Sequence, residues 1–277
     1  MKKKFSLLLV AVLMFSVVLT ACGGNGADVG NDNNGEDTST LQKIEDSGKI
    51  VLGTSADYPP FEFHAMIDGK DEIVGFDIEI AKYIAEELGV ELVIQDMDFD
   101  KLLGGLSTGM LDIVIAGMNP DPERDANFTD IYYEANLSVL VPKARASEFT
   151  KVEDLDGKSI GAQIGTVQEE IARETIKDSD VKALATNSDI VMNLKTNKID
   201  SALMETPVAT SYAAVNDDLM VIEDFVIDSG TGGVSIAVKT GDDELTEKLN
   251  EILEDIKSQG LIEQWFIEAN ELVNNSI

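Results

Sequence analysis

Three arginines stand against 52 acidic residues in this chain, and one of the three is placed for chemistry. Arg145 and Arg173 sit in charged, solvated runs (KARASE and EEIARETIK). Arg124 instead follows the apolar run Ile113 to Met118 across a short turn carrying Asn119, Asp121 and two prolines. A planar, permanently charged fork at the carboxyl end of a buried strand suits a small carboxylate. The bland alternative is a surface pair with Asp121, Glu123 or Asp125. Glu205 has a comparable setting, directly after the apolar stretch Ser201 to Met204 in an α/β unit, where ligand sites gather; otherwise it is a surface carboxylate. Asp57, Tyr58 and Glu62 share a loop with Pro59 and Pro60 that is either loop packing or a site wall. His64 is the only histidine and Cys22 the only cysteine, so no transition-metal site and no cofactor are expected.

These side chains need elements to hold them. Lys49 to Thr54 reads as a short buried strand. Asp68-Gly69-Lys70 is a hairpin turn flanked by Phe61–Phe63 and Ile73–Val74. Asp77 is expected to cap a helix with Ile78, Ala81, Ile84, Ala85 and Leu88 on one face and Gly89 as its stop. Glu91 to Ile94 is a strand, Lys101 to Ser107 a helical turn or two, and Leu111 to Ala116 a strand. The βαβαβ order predicts a parallel sheet.

A second alternating unit runs from Ser159 to Ala214, with Thr166 capping a helix over Val167 to Lys177. Apolar strands at Leu137–Val141 and Val234–Val238 mark the seams. If both are crossovers, the second unit is inserted into the first; two sequential domains are the alternative. Two helices, Glu244–Lys257 and Leu261–Ala269, close the chain. Trp265 on the last one reads as packing.

The chain begins with Lys2, Lys3 and Lys4, then the apolar run Phe5 to Leu19, too short to span a membrane comfortably. Leu19-Thr20-Ala21-Cys22 looks like a bacterial lipoprotein processing box; an ordinary signal peptide that happens to contain a cysteine is the alternative. Residues 1–21 are thus expected to be a signal peptide, with Cys22 lipidated and the membrane reached through acyl chains alone. Residues 22–40, rich in Gly, Asn and Asp, read as a flexible linker. The net charge is −31, and loss of the three leader lysines makes it −34. That argues against nucleic acid and against electrostatic attraction to anionic lipid, and it fits an exported monomer.

The segments SADYPPFEF, GFDIEIAKYIAEELG, LLGGLSTGMLDIVIAGM, ER, TDIYY, DLDGKSIGAQIGTVQEE and KIDSALME occur in that order. As an ordered set they resemble the extracellular solute-binding proteins, family 3, which serve polar amino acid ABC transporters. The likeness covers roughly Leu41 to Ala269. It implies an α/β, periplasmic-binding-protein-like (type II) two-lobe clamshell with two crossover strands, lobe 1 being residues 41–138 and 237–277 and lobe 2 residues 139–236. It implies a free amino acid as ligand, an ABC permease and ATPase as partners, and no catalytic residue. Arg124 would clamp the ligand carboxylate beside Gly117, Met118 and Asn119, with the Gly117 and Asn119 amides helping. Glu205 would take the α-ammonium, Tyr58 and Phe99 would sandwich the side chain, and Gln163, Thr166 and Val167 would line the cleft from the second lobe.

Four departures leave the ligand side chain open. The family often has Thr or Ser where Asn119 and Asp121 stand, Asp where Glu205 stands, Asp where Ser55 stands, and Thr or Gly at Val167. Asp57, Glu62 and Asp121 all lie in loops aimed at the cleft. With aromatic walls they favour a cation, arginine or lysine first and glutamine second. Two rival classes remain: an enzyme on the same scaffold, of the cyclohexadienyl dehydratase type, which needs a general acid or base in the cleft, and a sensory module, which is normally fused to a membrane-spanning segment that is not expected after Ile277.

Overall fold

The computed structural model describes residues 39–276. The leader, Cys22 and the polar stretch through residue 38, on which the signal peptide, lipid and linker expectations fall, lie outside the described residues. Helix α1 (Thr40–Ser47) already starts where the linker was expected to end, with the Ser39 hydroxyl accepting the Gln42 amide.

Strand β1 (Lys49–Thr54) is followed by β2 (Asp57–Tyr58), β3 (Glu62–Ile67) and β4 (Lys70–Val74), and these last three form a small antiparallel sheet. Helix α2 (Phe76–Leu88), β5 (Glu91–Asp96), α3 (Leu102–Thr108), β6 (Ile113–Val114) and β7 (Asn127–Phe128) complete the first passage. The chain then crosses into β8 (Leu137–Pro142), β9 (Ser159–Gln163), α4 (Val167–Glu174), β10 (Asp180–Leu184), α5 (Asn187–Lys195), β11 (Ser201–Glu205), α6 (Thr206–Ala214) and β12 (Leu219–Ile227). It returns as β13 (Ala237–Val238) and ends in α7 (Asp243–Ser258) and α8 (Leu261–Ser276).

One five-stranded sheet has the order β5-β1-β6-β13-β7 and the other β10-β9-β11-β8-β12. Every strand of the second sheet falls between β7 and β13, so the second lobe interrupts the first. The sheets are mixed rather than parallel. β1 runs parallel to β5 and β6, and β9 parallel to β10 and β11, whereas β8 and β13 pair antiparallel with their neighbours. The returning strands arrive from the other lobe and not through a helix laid across their own sheet, so nothing constrains them to run parallel.

The Leu137–Val141 seam is a strand throughout, as β8, but apolar composition overstates the strand before Gly117 and the returning seam. Only Ile113–Val114 of the expected Leu111–Ala116 strand enters the ladder, because the backbone turns at Gly117, where φ is 52°. Val234 and Ile236 are apolar because they are buried, not because they pair continuously; only Ala237–Val238 and an isolated Val234 bridge are laddered. Helix α2 buries Ile78, Ala81, Ile84 and Ala85 as its periodicity requires and stops at a left-handed Gly89. Asp77 does not cap it. Gly75 precedes the helix and Asp77 lies inside the first turn, fully buried. Among the described residues no helix is long and apolar enough to cross a membrane, and no group of three potential metal ligands occurs.

Candidate functional site

The carboxyl ends of β1, β6, β9 and β11 converge, so the loops leaving them meet between the sheets. They line a narrow inner cavity with an accessible volume of about 10 Å³. Its first-lobe wall includes Tyr58, Glu62, Phe99, Gly117 and Asn119; its second-lobe wall includes Gln163, Thr166 and Gln168. A larger hollow at the mouth shares Thr166 and adds Arg124, Val167 and the acidic side chains Asp121, Glu123 and Glu170.

Arg124 spans the two lobes. One guanidinium nitrogen, Nη2, donates to the Gly165 carbonyl at 2.9 Å, and the guanidinium carbon lies 5.5 Å from the centre of the Phe99 ring. The other, Nη1, is buried with no partner among the described residues. Burial lowers the Arg124 pKa, opposed by Asp121 and Glu170, but an arginine remains charged. An unpaired buried N–H of a cation is costly, and a carboxylate satisfies it.

Glu205 and Glu62 are the opposite case. Both are fully buried; the Glu205 carboxyl meets no polar group beyond its own residue, and the Glu62 carboxyl meets only that of Asp77. Burial lifts Glu205 to about 8. Glu205 is not on the inner cavity wall; its amide meets that wall through a 3.4 Å hydrogen bond to the Tyr58 hydroxyl. Glu62 is on the wall. Burial first, then the neighbouring charge of Asp77, raises it well above the ordinary value. Asp77 itself sits at about 6, raised by burial and held down by the Gly117 amide and the Tyr132 hydroxyl. Two adjoining buried carboxyls of this kind disfavour each other's ionisation.

Asp77 also fixes the turn that carries the Arg124 loop. It accepts the Gly117 N–H at 2.9 Å and the Tyr132 hydroxyl at 2.8 Å. Gly117 is required there twice over. Its φ is positive, and a Cβ would lie 2.8 Å from the Tyr58 ring.

Several expected site residues are placed differently. The Gly117 amide is occupied by Asp77 and is not free for a ligand carboxylate. Met118 points into the apolar cluster of Leu102, Leu106, Leu111 and Val114, since alternation turns it away from its neighbours' face. The Asn119 side chain donates to the Gly233 carbonyl, while its backbone N–H has no intramolecular partner among the described residues. Asp121 closes its own turn on the Glu123 amide and faces only the outer hollow, as Val167 does. The Gln163 amide is tied at both ends, to the Ala185 carbonyl and the Asn187 side chain. Thr166 caps α4. Asp57 is absent from the cavity walls; α5 of the second lobe takes its carboxylate.

Gln168 was missed. It is buried, lines the inner cavity and leaves its Oε1 unpartnered. The signal available in the sequence was its position in the first turn of α4, one residue beyond Val167.

With this geometry in place, comparison with known proteins identifies the family. The family model of the bacterial extracellular solute-binding proteins, family 3, matches residues 50–268. The chain belongs to this family. It is 38% identical over 275 residues to the arginine-binding extracellular protein ArtP of Bacillus subtilis, covering 95% of this chain and 98% of that one. It is similar in structure to an amino acid ABC transporter substrate-binding protein from Streptococcus pneumoniae bound to L-arginine, with 32% identity, a TM-score of 0.81, and 84% of this chain and 98% of that chain covered. An ancestral amino acid-binding protein, a precursor of cyclohexadienyl dehydratase, matches at 32% identity and a TM-score of 0.72 over 82% of this chain and 99% of that chain. The architecture is the type II two-lobe clamshell.

The unpaired Glu205 sets a pH dependence. Its carboxyl keeps a proton in the folded protein up to about 8 but loses it near 4.5 when unfolded. The folded state therefore binds the extra proton between those values, and stability falls as pH rises through that window. Each pH unit is worth about 1.4 kcal/mol at full effect. Glu62, Asp77 and Asp57 act in the same direction. Thermal melts of the ligand-free domain from pH 5 to 8.5 should show a shallower decline for Glu205→Gln than for wild type, with the variant the more stable at the alkaline end. Parallel profiles would show that this carboxyl is not held protonated by the fold.

Proposed function

We propose that the protein binds a free cationic amino acid, L-arginine first, between its lobes and delivers it to an ABC permease from a lipid anchor at Cys22 on the outer face of a bacterial cell membrane. The observation that carries the ligand is the set of buried ionisable groups about the cleft: Arg124, whose Nη1 lacks a partner, at the outer hollow, the Glu62 carboxyl on the inner wall and the Glu205 carboxyl behind it. A zwitterion with a positive side chain supplies one carboxylate and two cations. Arg124, with the Asn119 amide, takes the carboxylate. Glu205 takes the α-ammonium. Glu62 takes the side-chain cation, displacing its proton, and Tyr58 and Phe99 flank the aliphatic stem. An acidic ligand would add a second anion to buried carboxyls. The arginine-binding relatives support the choice.

Closure makes the interaction selective. Both lobes contribute to the cavity, so complementary charge stabilises the shut form over the open one, and the permease would read the shut form.

The rival reading, an enzyme of the cyclohexadienyl dehydratase type, draws on Glu205, a buried carboxyl with a near-neutral pKa. Loss of a prephenate-like acid on incubation with the protein would establish it.

Calorimetric competition among arginine, glutamine and glutamate on residues 23–277 tests the ligand. Arginine should win. Arg124→Ala should weaken it more than hundredfold, since stranding one member of a buried ion pair costs roughly 3–5 kcal/mol. Glu62→Gln should weaken arginine far more than glutamine. Glutamate winning would refute the charge argument, and glutamine winning would leave Glu62 as a structural partner of Asp77. The anchor is tested separately. Cys22→Ala should leave the precursor unprocessed or release it from membranes, and wild-type fractionation and migration of that variant would exclude lipidation there.

A further inference from the structure

Asp57 makes the densest set of polar contacts between the lobes. It is the first residue of β2, in the first lobe, yet its carboxylate faces the N-terminus of α5 in the second. It accepts the Asn187 N–H at 2.5 Å, the Ser188 N–H at 3.3 Å and the Asn187 side-chain amide at 3.3 Å. Its backbone carbonyl accepts the hydroxyl of Tyr212, on α6 of the second lobe, at 2.7 Å. The first amides of a helix have no partner within the helix and carry partial positive charge, so a carboxylate suits them. Thr166, the corresponding residue at α4, caps within its own lobe; α5 has an intrinsic cap in Thr186 and still takes a second acceptor from across the cleft.

The contact is also linked to the cavity. Asn187, buried, donates from the same side-chain nitrogen to Asp57 and to Gln163, which stands on the cavity wall. Its position is thus fixed at once by the ligand-facing wall and by the opposite lobe.

We infer that Asp57 is an interlobe latch: it contacts no ligand, and when the cleft shuts it receives the N-terminus of α5 and holds the bound amino acid in. When the lobes part, water can solvate the carboxylate and the amides separately, so the encounter with ligand does not involve them. Loss of the carboxylate leaves two amide N–H groups and the Asn187 side chain short of an acceptor only in the shut form. Burial raises the Asp57 pKa, which the hydrogen bonds from Asn187 and Ser188 oppose, as expected of a carboxylate drawn out of water by closure.

The latch rests on the clamshell binding mode proposed above but not on the identity of the ligand. The test is stopped-flow binding of L-arginine and, in parallel, L-glutamine to wild type, Asp57→Ala and Asp57→Asn on residues 23–277. For whichever amino acid binds wild type, Asp57→Ala should raise the dissociation rate at least tenfold and leave the association rate within about twofold. Asp57→Asn, which keeps one acceptor oxygen, should recover part of the loss. Small-angle scattering of the saturated variant should give a larger radius of gyration than saturated wild type. A purely local folding role would lower the melting temperature without splitting the rates. An unchanged dissociation rate, or equal loss in both rates, overturns the latch. Binding of glutamine and not arginine would refute the proposed ligand and leave the latch tested all the same.

Discussion

Ionisable groups shut away from water must find partners, and the cleft of this protein leaves three of them short. Arg124 Nη1 is buried without a partner among the described residues, the Glu205 carboxyl has none beyond its own residue, and the Glu62 carboxyl meets only that of Asp77. Arg124, whose one partner Gly165 lies in the other lobe, raises the free energy of the shut form relative to an open one, while each buried carboxyl burdens the fold that encloses it. The carboxyls escape part of that penalty by holding protons, which is why burial lifts Glu205 to about 8. The guanidinium has no such escape and uses the Gly165 carbonyl for one of its nitrogens only. Closure without ligand is therefore resisted, and closure around a molecule with matching charges is favoured. Ligand selection and domain motion are one equilibrium seen from two sides.

The scaffold serves this arrangement through Asp77. By receiving the Gly117 amide and the Tyr132 hydroxyl it ties α2, the turn after β6 and the chain leading to β8 at one point. The turn carries the loop that ends on Arg124, and its glycine permits the Tyr58 ring to approach. Glu62, beside Asp77, completes a buried acid pair on the cavity wall. The charge proposed to read the ligand and the contacts that shape the cavity are thus continuous.

Arg124 was legible in the sequence because a lone arginine following a buried run in an acidic chain has few other uses, and Glu205 because it ends an apolar strand. The two-unit order was legible from periodicity. What escaped shares a physical reason: it depends on which partner a group meets across long sequence separation. Asp57 lies 130 residues from Asn187, so nothing local distinguishes a latch from a ligand contact. Asp77 resembles a helix cap until Gly117 arrives from 40 residues away. Met118 and Asn119 are both expected beside the ligand carboxylate, whereas the backbone sends one side chain to the core and the other to Gly233. β12 went unread, and the Val234–Val238 seam was drawn too long because burial, not pairing, explains Val234 and Ile236, whereas Leu137–Val141 pairs throughout as β8.

A crystal structure of residues 23–277 with L-arginine decides between a charge-matched cleft and any other. The ligand carboxylate should lie within about 3 Å of Arg124 Nη1, the α-ammonium on Glu205 and the guanidinium on Glu62, each at ordinary hydrogen-bond distance. A shut cleft in which Arg124 still contacts only the Gly165 carbonyl, with the ligand carboxylate held elsewhere, would contradict it.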